Sequence, residues 1–230
     1  MTSEGRKDRP VSVAKTDTYL SGIIENLKRQ WPDNRTVNIV CHGHSVPAGY
    51  FATPFVDTFN AYPHLLHKGL KERFPFAVIN IIVSAVGGEN SELGALRYRS
   101  EVLCHRPDVV TLDYGLNDRK IGFESARRYW GGMIEDALGD GIKVILLTPT
   151  SDATLVPGYE GEDREALAGH AEQIRALAAE YEVGLADSFA AFNSYAACGK
   201  LADLMSWSNH PNRAGHAIVS RELMRWFPLV

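Results

Sequence analysis

Ser45 stands where an apolar run stops. In Thr36 to Tyr50, TVNIVCHGHSVPAGY, the β-branched residues Val37, Ile39 and Val40 lead into Gly43-His44-Ser45, with Pro47 and Gly49 directly after. The pattern predicts a buried strand that opens into a tight loop, which puts a hydroxyl at the carboxyl end of a strand, where open α/β sheets hold their ligands. Three more polar corners follow similar apolar runs or precede the last helix: VGGEN with Gly88, GLND with Asn117, and SWSNHPN with His210. Acyl transfer asks for a hydroxyl nucleophile, an imidazole that takes its proton and returns it to the leaving group, and donors aimed at the developing oxyanion. Ser45 fits the first and His210 the second. The N–H groups of Ser45 and Gly88, with the side-chain amide of Asn117, fit the third. Glycine suits an oxyanion donor because no Cβ obstructs the approach to its N–H.

The elements needed to bring these corners together are legible in the hydrophobic pattern. Asp17 to Gln30 reads as a helix closed by Trp31-Pro32, and Phe59 to Phe74 as a second. Val78 to Val83 is a nearly continuous Val/Ile run, the mark of a strand covered on both faces, and it ends at Gly87-Gly88. A helix over Leu93 to Cys104 precedes a third strand, Asp108 to Tyr114. Ser125 to Leu138 and Lys143 to Leu147 form the next helix and strand. Thr150 to Gly161 exceeds the usual ~2–6 residues of such connections, and predicts a lid or substrate-facing loop. Leu167 to Tyr181, Val183 to Ala186, Ser188 to Ala197 and Arg213 to Trp226 complete the alternation. Strands alternating with helices of this length predict a parallel sheet with helices on both faces, and right-handed crossovers carry the corners to one edge of it. Residues 1–15 read as a flexible tail and 16–230 as one domain, without repeat or linker.

With 230 residues, 45% hydrophobic and 23% charged, the chain has the makeup of an ordinary globular protein. A net charge of −4 gives no reason to expect nucleic acid. Arg97, Arg99 and Arg106, like Arg127 and Arg128, read as solvated helix faces. The three cysteines, Cys41, Cys104 and Cys198, lack CxxC spacing, so neither a disulfide framework nor a zinc site is indicated. No segment approaches the ~18 apolar residues of a membrane span, and no apolar stretch follows the charged N-terminus. The expectation is a cytoplasmic protein; the sequence leaves its oligomeric state open.

Each candidate also has a plain structural reading. Ser45 is of a type that caps helices and turns, Asn117 likewise, and Gly88 can serve simply as a positive-φ residue, with Gly87 as the alternative if the loop is offset by one. His216 falls in the pattern of the last helix and reads as a packing or capping histidine, which leaves His210 as the base. The pairs His42/His44 and His64/His67 have no carboxylates at a ligating spacing, so no metal is expected. Asp118 reads as structural, Asp187 as a helix cap, and Asp113 as a buried carboxylate bonded to neighbouring loop backbone, with no part in catalysis.

The four corners, taken together, resemble the SGNH (GDSL-like) hydrolase family. Its blocks are matched in order by GHS at Gly43 to Ser45, VGGEN around Gly88, GLND at Gly115 to Asp118 and NHPNRAGH at Asn209 to His216. The resemblance implies a flavodoxin-like three-layer α/β/α fold with five parallel strands. It also implies Ser45 as nucleophile, an oxyanion hole from Ser45, Gly88 and Asn117, and His210 as base. Position 47 is Pro, which sets the chain apart from the G-x-S-x-G elbow of the α/β-hydrolases. Two positions depart from the family. His44 replaces the Asp of the GDS block, and Trp207 stands where the family's D-x-x-H places the acid of the triad. A Ser45–His210 dyad follows as the expectation, with Asp203 as the nearest carboxylate that could orient His210. The resemblance implies carbohydrate acetylesterases, lipid esterases, thioesterases and lysophospholipases alike; the expectation here is hydrolysis of a small-molecule ester carrying a short acyl or O-acetyl group, on a polar acceptor such as a carbohydrate, without a cofactor. Two other uses of the site stay open: an acyltransferase or thioesterase, and a non-catalytic carbohydrate-binding relative.

Overall fold

The computed structural model describes residues 12–152 and 163–229. Five parallel strands make the central sheet: β1 (Thr36–Gly43), β4 (Val78–Ala85), β5 (Val109–Asp113), β6 (Lys143–Leu147) and β7 (Gly184–Ala186), in the spatial order β4-β1-β5-β6-β7. This is the flavodoxin-like arrangement, with helices on both faces. A small antiparallel hairpin, β2 (Tyr50–Ala52) and β3 (Phe55–Val56), stands outside the sheet and was not foreseen from the sequence.

Side chains alternate across the sheet. Val37, Ile39 and Cys41 of β1 join Val109, Ile145 and Leu147 in one core, beneath α1 (Ser21–Lys28), α3 (Tyr62–Arg73), α7 (Ser188–Ala196) and α8 (Arg213–Met224). Val40, Val110, Leu112, Val144 and Leu146 face the other way, under α4 (Ser91–Glu101), α5 (Gly122–Gly139) and α6 (Asp163–Glu180). Both layers are needed because every residue of β5 is buried. The β4 strand differs from its expected burial on both faces: Val78 is exposed and Ile81 to Ala85 are only half-buried. Its Val/Ile run occupies a sheet edge, paired with β1 on one side only.

The expected tail is ordered from its last residues onward. Ala14 N–H donates to the Val183 carbonyl at 3.2 Å, and Val13 packs against the core; residues 1–11 lie outside the described residues. Most of the loop expected over Thr150 to Gly161 lies outside them too. Its first residues, Thr150, Ser151 and Asp152, are buried. Among the described residues no helix is long and apolar enough to cross a membrane.

Candidate active site

The first corner is built by packing as tight as the strand that feeds it. Gly43 pairs with Asp113 across the sheet, and a Cβ on Gly43 would come within 2.5 Å of the Asp113 carbonyl. His44 N–H donates to that carbonyl at 3.3 Å. The chain then turns directly into a one-turn helix, α2 (Ser45–Ala48), whose cap is His44: its Nδ1 accepts from Val46 N–H at 3.2 Å. Gly49 ends the turn at φ 92°, a left-handed value that favours glycine. Ser45 is therefore fixed at the carboxyl end of β1, nearly buried at 8% exposure.

His210 reaches it from the far end of the sequence. Its Nε2 lies 2.9 Å from Ser45 Oγ, a hydrogen bond across 165 positions. The loop holding His210 is closed by its own backbone and by two polar side chains. The His210 carbonyl accepts from Ser206 N–H at 3.0 Å, and Ser206 Oγ bonds the Phe51 carbonyl of the hairpin. Asn212 caps α8 through Ala214 and Gly215 N–H, while its amide donates to the Asp203 and Met205 carbonyls. Arg213 then ties α8 to Asp57 beyond the hairpin at 2.9 Å. Burial pushes the His210 imidazole down to about 4, and the neighbouring His44 adds to that shift. The ring is thus neutral at pH 7, the form that can accept a proton.

The corners that carry Gly88 and Asn117 are held by a second set of contacts. Asn117 Nδ2 donates to the Glu89 carbonyl at 2.8 Å, which joins the β5 corner to the β4 corner and leaves one amide N–H. Gly88 has φ 83°, with no atom within 4 Å of where a Cβ would stand. Among the described residues no hydrogen bond takes up the N–H of Ser45 or of Gly88. Arg97 braces this loop. It meets Glu89 through Nε and Nη2, at 2.6 Å for the shortest contact, and also reaches Ser84 and Glu101. Its side chain is 13% exposed, which corrects its reading as a solvated helix face. The physical reason is a carboxylate eight residues earlier that Arg97 can reach in bidentate fashion.

The remaining candidates fall into structural places. Asp118 receives Ser91 N–H and Trp130 Nε1–H at 2.7 and 2.6 Å, and pins the start of α4 to α5. Its carboxyl is pushed up by burial, against which both donors act. Asp187 caps α7 through Ala190 N–H and pairs with Arg175. His216 Nδ1 accepts from Tyr62 N–H, and its ring stacks on Phe51. His42 lies between the Ser84 carbonyl, 2.8 Å from its Nδ1, and the Tyr114 hydroxyl and Gly94 carbonyl, 2.9 and 3.2 Å from its Nε2. Among the described residues no three His, Cys, Asp or Glu side chains gather where they could hold a metal.

Two sequence readings need correction. Asp203 does not orient His210: it is exposed on a 3-10 turn, and His210 Nδ1 has no hydrogen-bond partner among the described residues. The intervening loop folds back on the His210 carbonyl and leaves Asp203 outside. Asp113, given no part in the site, extends its carboxylate to His44, with Oδ1 at 3.4 Å from Nε2, while His44 Nδ1 lies 3.4 Å from Ser45 Oγ. The signal was available, since a carboxylate inside an apolar strand demands a partner and a histidine had replaced the aspartate before Ser45. A cleft of about 590 Å³ lined by Arg35, Arg106, Asp108 and Lys143 lies at the opposite end of the strands and shares no residue with this site.

The model of the GDSL-like lipase/acylhydrolase family matches residues 41–218, and the chain belongs to that family; its class is that of the carboxylic ester hydrolases. Among solved structures the chain is similar to Axe2, an acetylxylan esterase from Geobacillus stearothermophilus. The TM-score is 0.73 at 19% identity, over 84% of this chain and 95% of that one. It is also similar to a two-domain esterase, CEX, active on acetylated mannans, with a TM-score of 0.73 at 18% identity, over 91% of this chain and 52% of that one. At such identities the likeness establishes the fold. Comparison with curated protein sequences gives no match.

Proposed function

We propose that the protein is a serine esterase that removes short acyl groups, acetyl foremost, from a carbohydrate. The reading rests on one observation, the 2.9 Å contact between Ser45 Oγ and His210 Nε2 at the carboxyl edge of the sheet. Ser45 attacks the ester carbonyl while His210 takes its proton. The oxyanion then faces the N–H groups of Ser45 and Gly88 and the free amide hydrogen of Asn117. The alcohol leaves with the proton from His210, and the same imidazole activates water to release the acid and restore Ser45.

A short acyl group is favoured because Ser45 and His210 are both nearly enclosed, at 8% and 5% exposure. Tyr50 lies beside His210, ring centroids 6.4 Å apart, and Trp207 in the same loop is 62% exposed. Flat aromatic surfaces at a site rim suit a sugar face, and two similar structures are an acetylxylan esterase and an esterase active on acetylated mannans. The test is acetate release from acetylated xylo- and manno-oligosaccharides, alongside aryl esters of increasing chain length. The expected result is turnover of acetyl and sharply falling rates for longer chains, lost in Ser45→Ala. Sugar binding that persists in Ser45→Ala, with no turnover in either form, would instead show the non-catalytic carbohydrate-binding relative.

A further inference from the structure

We propose that His44, oriented by Asp113, is a second proton acceptor for Ser45. The inference rests on the reading of Ser45 as nucleophile and goes beyond it, because it gives the site a carboxylate–imidazole pair in addition to His210.

The two imidazoles are answered differently. His210 has its Nε2 on Ser45, but among the described residues its Nδ1 has no hydrogen-bond partner and no carboxylate fixes its tautomer. For His44 the tautomer follows from its contacts. Val46 N–H donates to Nδ1, so the ring proton sits on Nε2, the atom that faces Asp113. The lone pair of Nδ1 that caps Val46 also lies 3.4 Å from Ser45 Oγ. Asp113, His44 and Ser45 thus stand in the order carboxylate, imidazole, hydroxyl, with the ring reversed relative to the usual triad.

Burial makes this order costly to keep without use. His44 is 1% exposed and Asp113 is 4% exposed. The Nε2–Oδ1 contact, at 3.4 Å, does not form a hydrogen bond, and Nε2 has no hydrogen-bond partner among the described residues. A buried donor facing a buried carboxylate at this range gains most when the ring becomes positive, since a charged pair is stronger than a neutral one in a dry site. Contacts of this kind are often loose in the resting enzyme and tighten as charge develops.

The step balances. The Ser45 Oγ–H bond breaks as Oγ bonds the acyl carbon, the proton passes to His44 Nδ1, and Asp113 faces the imidazolium through Nε2–H. The proton returns to the leaving alcohol oxygen. Taking it releases Val46 N–H from Nδ1, a cap on a helix of a single turn.

The experiment measures the second-order rate of fluorophosphonate labelling at Ser45, located by peptide mass mapping, in the full chain. The variants are Ser45→Ala, His210→Ala, His44→Asn and Asp113→Asn, singly and in the His210→Ala background. Asn at position 44 keeps an oxygen to cap Val46 but is no base. The expected result is that His210→Ala labels roughly 10²-fold slower than the native protein, yet measurably, and that adding His44→Asn slows it by roughly tenfold more. Asp113→Asn should match His44→Asn, and the two together should add little, because they act as one unit. If His44→Asn fails to fold, Asp113→Asn, which is isosteric, carries the same test. An adduct on native Ser45 with no further slowing by either variant in the His210→Ala background overturns this proposal alone. No adduct on native Ser45 removes the nucleophile, and with it the esterase reading as well.

Discussion

Acid should unfold this protein through its buried histidines. His42, His170, His210 and His216 are each 5% exposed or less. Burial is the first cause in every case, and pushes His42, His170 and His210 from 6.5 to about 4 and His216 to about 3. In the unfolded chain all four titrate near the ordinary value, so protons favour unfolding. Stability is complete above about pH 6.5 and falls as pH drops toward about 4. At about pH 5 each histidine costs about 2 kcal/mol, and the four together about 8 kcal/mol. That is comparable with the roughly 5–15 kcal/mol that holds a whole domain. Asp118, whose carboxyl is raised by burial, recovers a little as pH falls, but it is one group against four. The assay is urea unfolding followed by tryptophan fluorescence from neutral pH to about pH 5, with the slope of free energy against pH read as protons taken up. About three protons or more are expected, and His170→Leu should remove about one. An unfolding midpoint that does not move, or uptake of less than about one proton, would refute the reasoning.

The catalytic rate should follow a different pH course. With His210 neutral down to about 4, kcat/KM for an aryl acetate, read in brief assays started by dilution from neutral buffer, should stay level through the range where an ordinary histidine protonates; an inflection near 6.5 would contradict this. Gly94→Ala places a Cβ 2.3 Å from the Tyr114 ring and hydroxyl, and should lower stability by about 1–3 kcal/mol, seen as a fall in Tm. Asn117→Ala should lower kcat roughly 10²- to 10³-fold with little change in KM. Asp203→Ala should leave turnover nearly intact, since its carboxylate stands away from His210; a collapse like that of His210→Ala would restore it to the site.

The sheet was legible because its signals are local. Runs such as KVILL and DVVTLDY can be buried only in the middle of a sheet, and the polar corners after them mark its carboxyl edge. The α2 turn at Ser45 and the Tyr50–Val56 hairpin were missed, because their stability comes from contacts with distant parts: Gly49 against Thr58, Phe51 against His216, Ser206 against Phe51. The same division runs through the site. Ser45, Gly88, Asn117 and His210 could be picked by residue type and corner. What braces them could not, because Glu89 with Arg97, and Asp113 with His44, are pairs whose meaning depends on which side chains the fold brings face to face. Arg97 shows this best: on a helical wheel it is one more charge, and in the fold it secures the loop that carries Gly88.

The central claim is that Ser45 is the residue that carries the acyl group. Acid quenching of a reaction with an aryl acetate, followed by peptide mass mapping, tests it most directly. An acetyl group on Ser45, formed at the rate of the initial product burst and absent in Ser45→Ala, is the expected result. Turnover that survives in Ser45→Ala, or an acetyl group carried by any other residue at that rate, would contradict it.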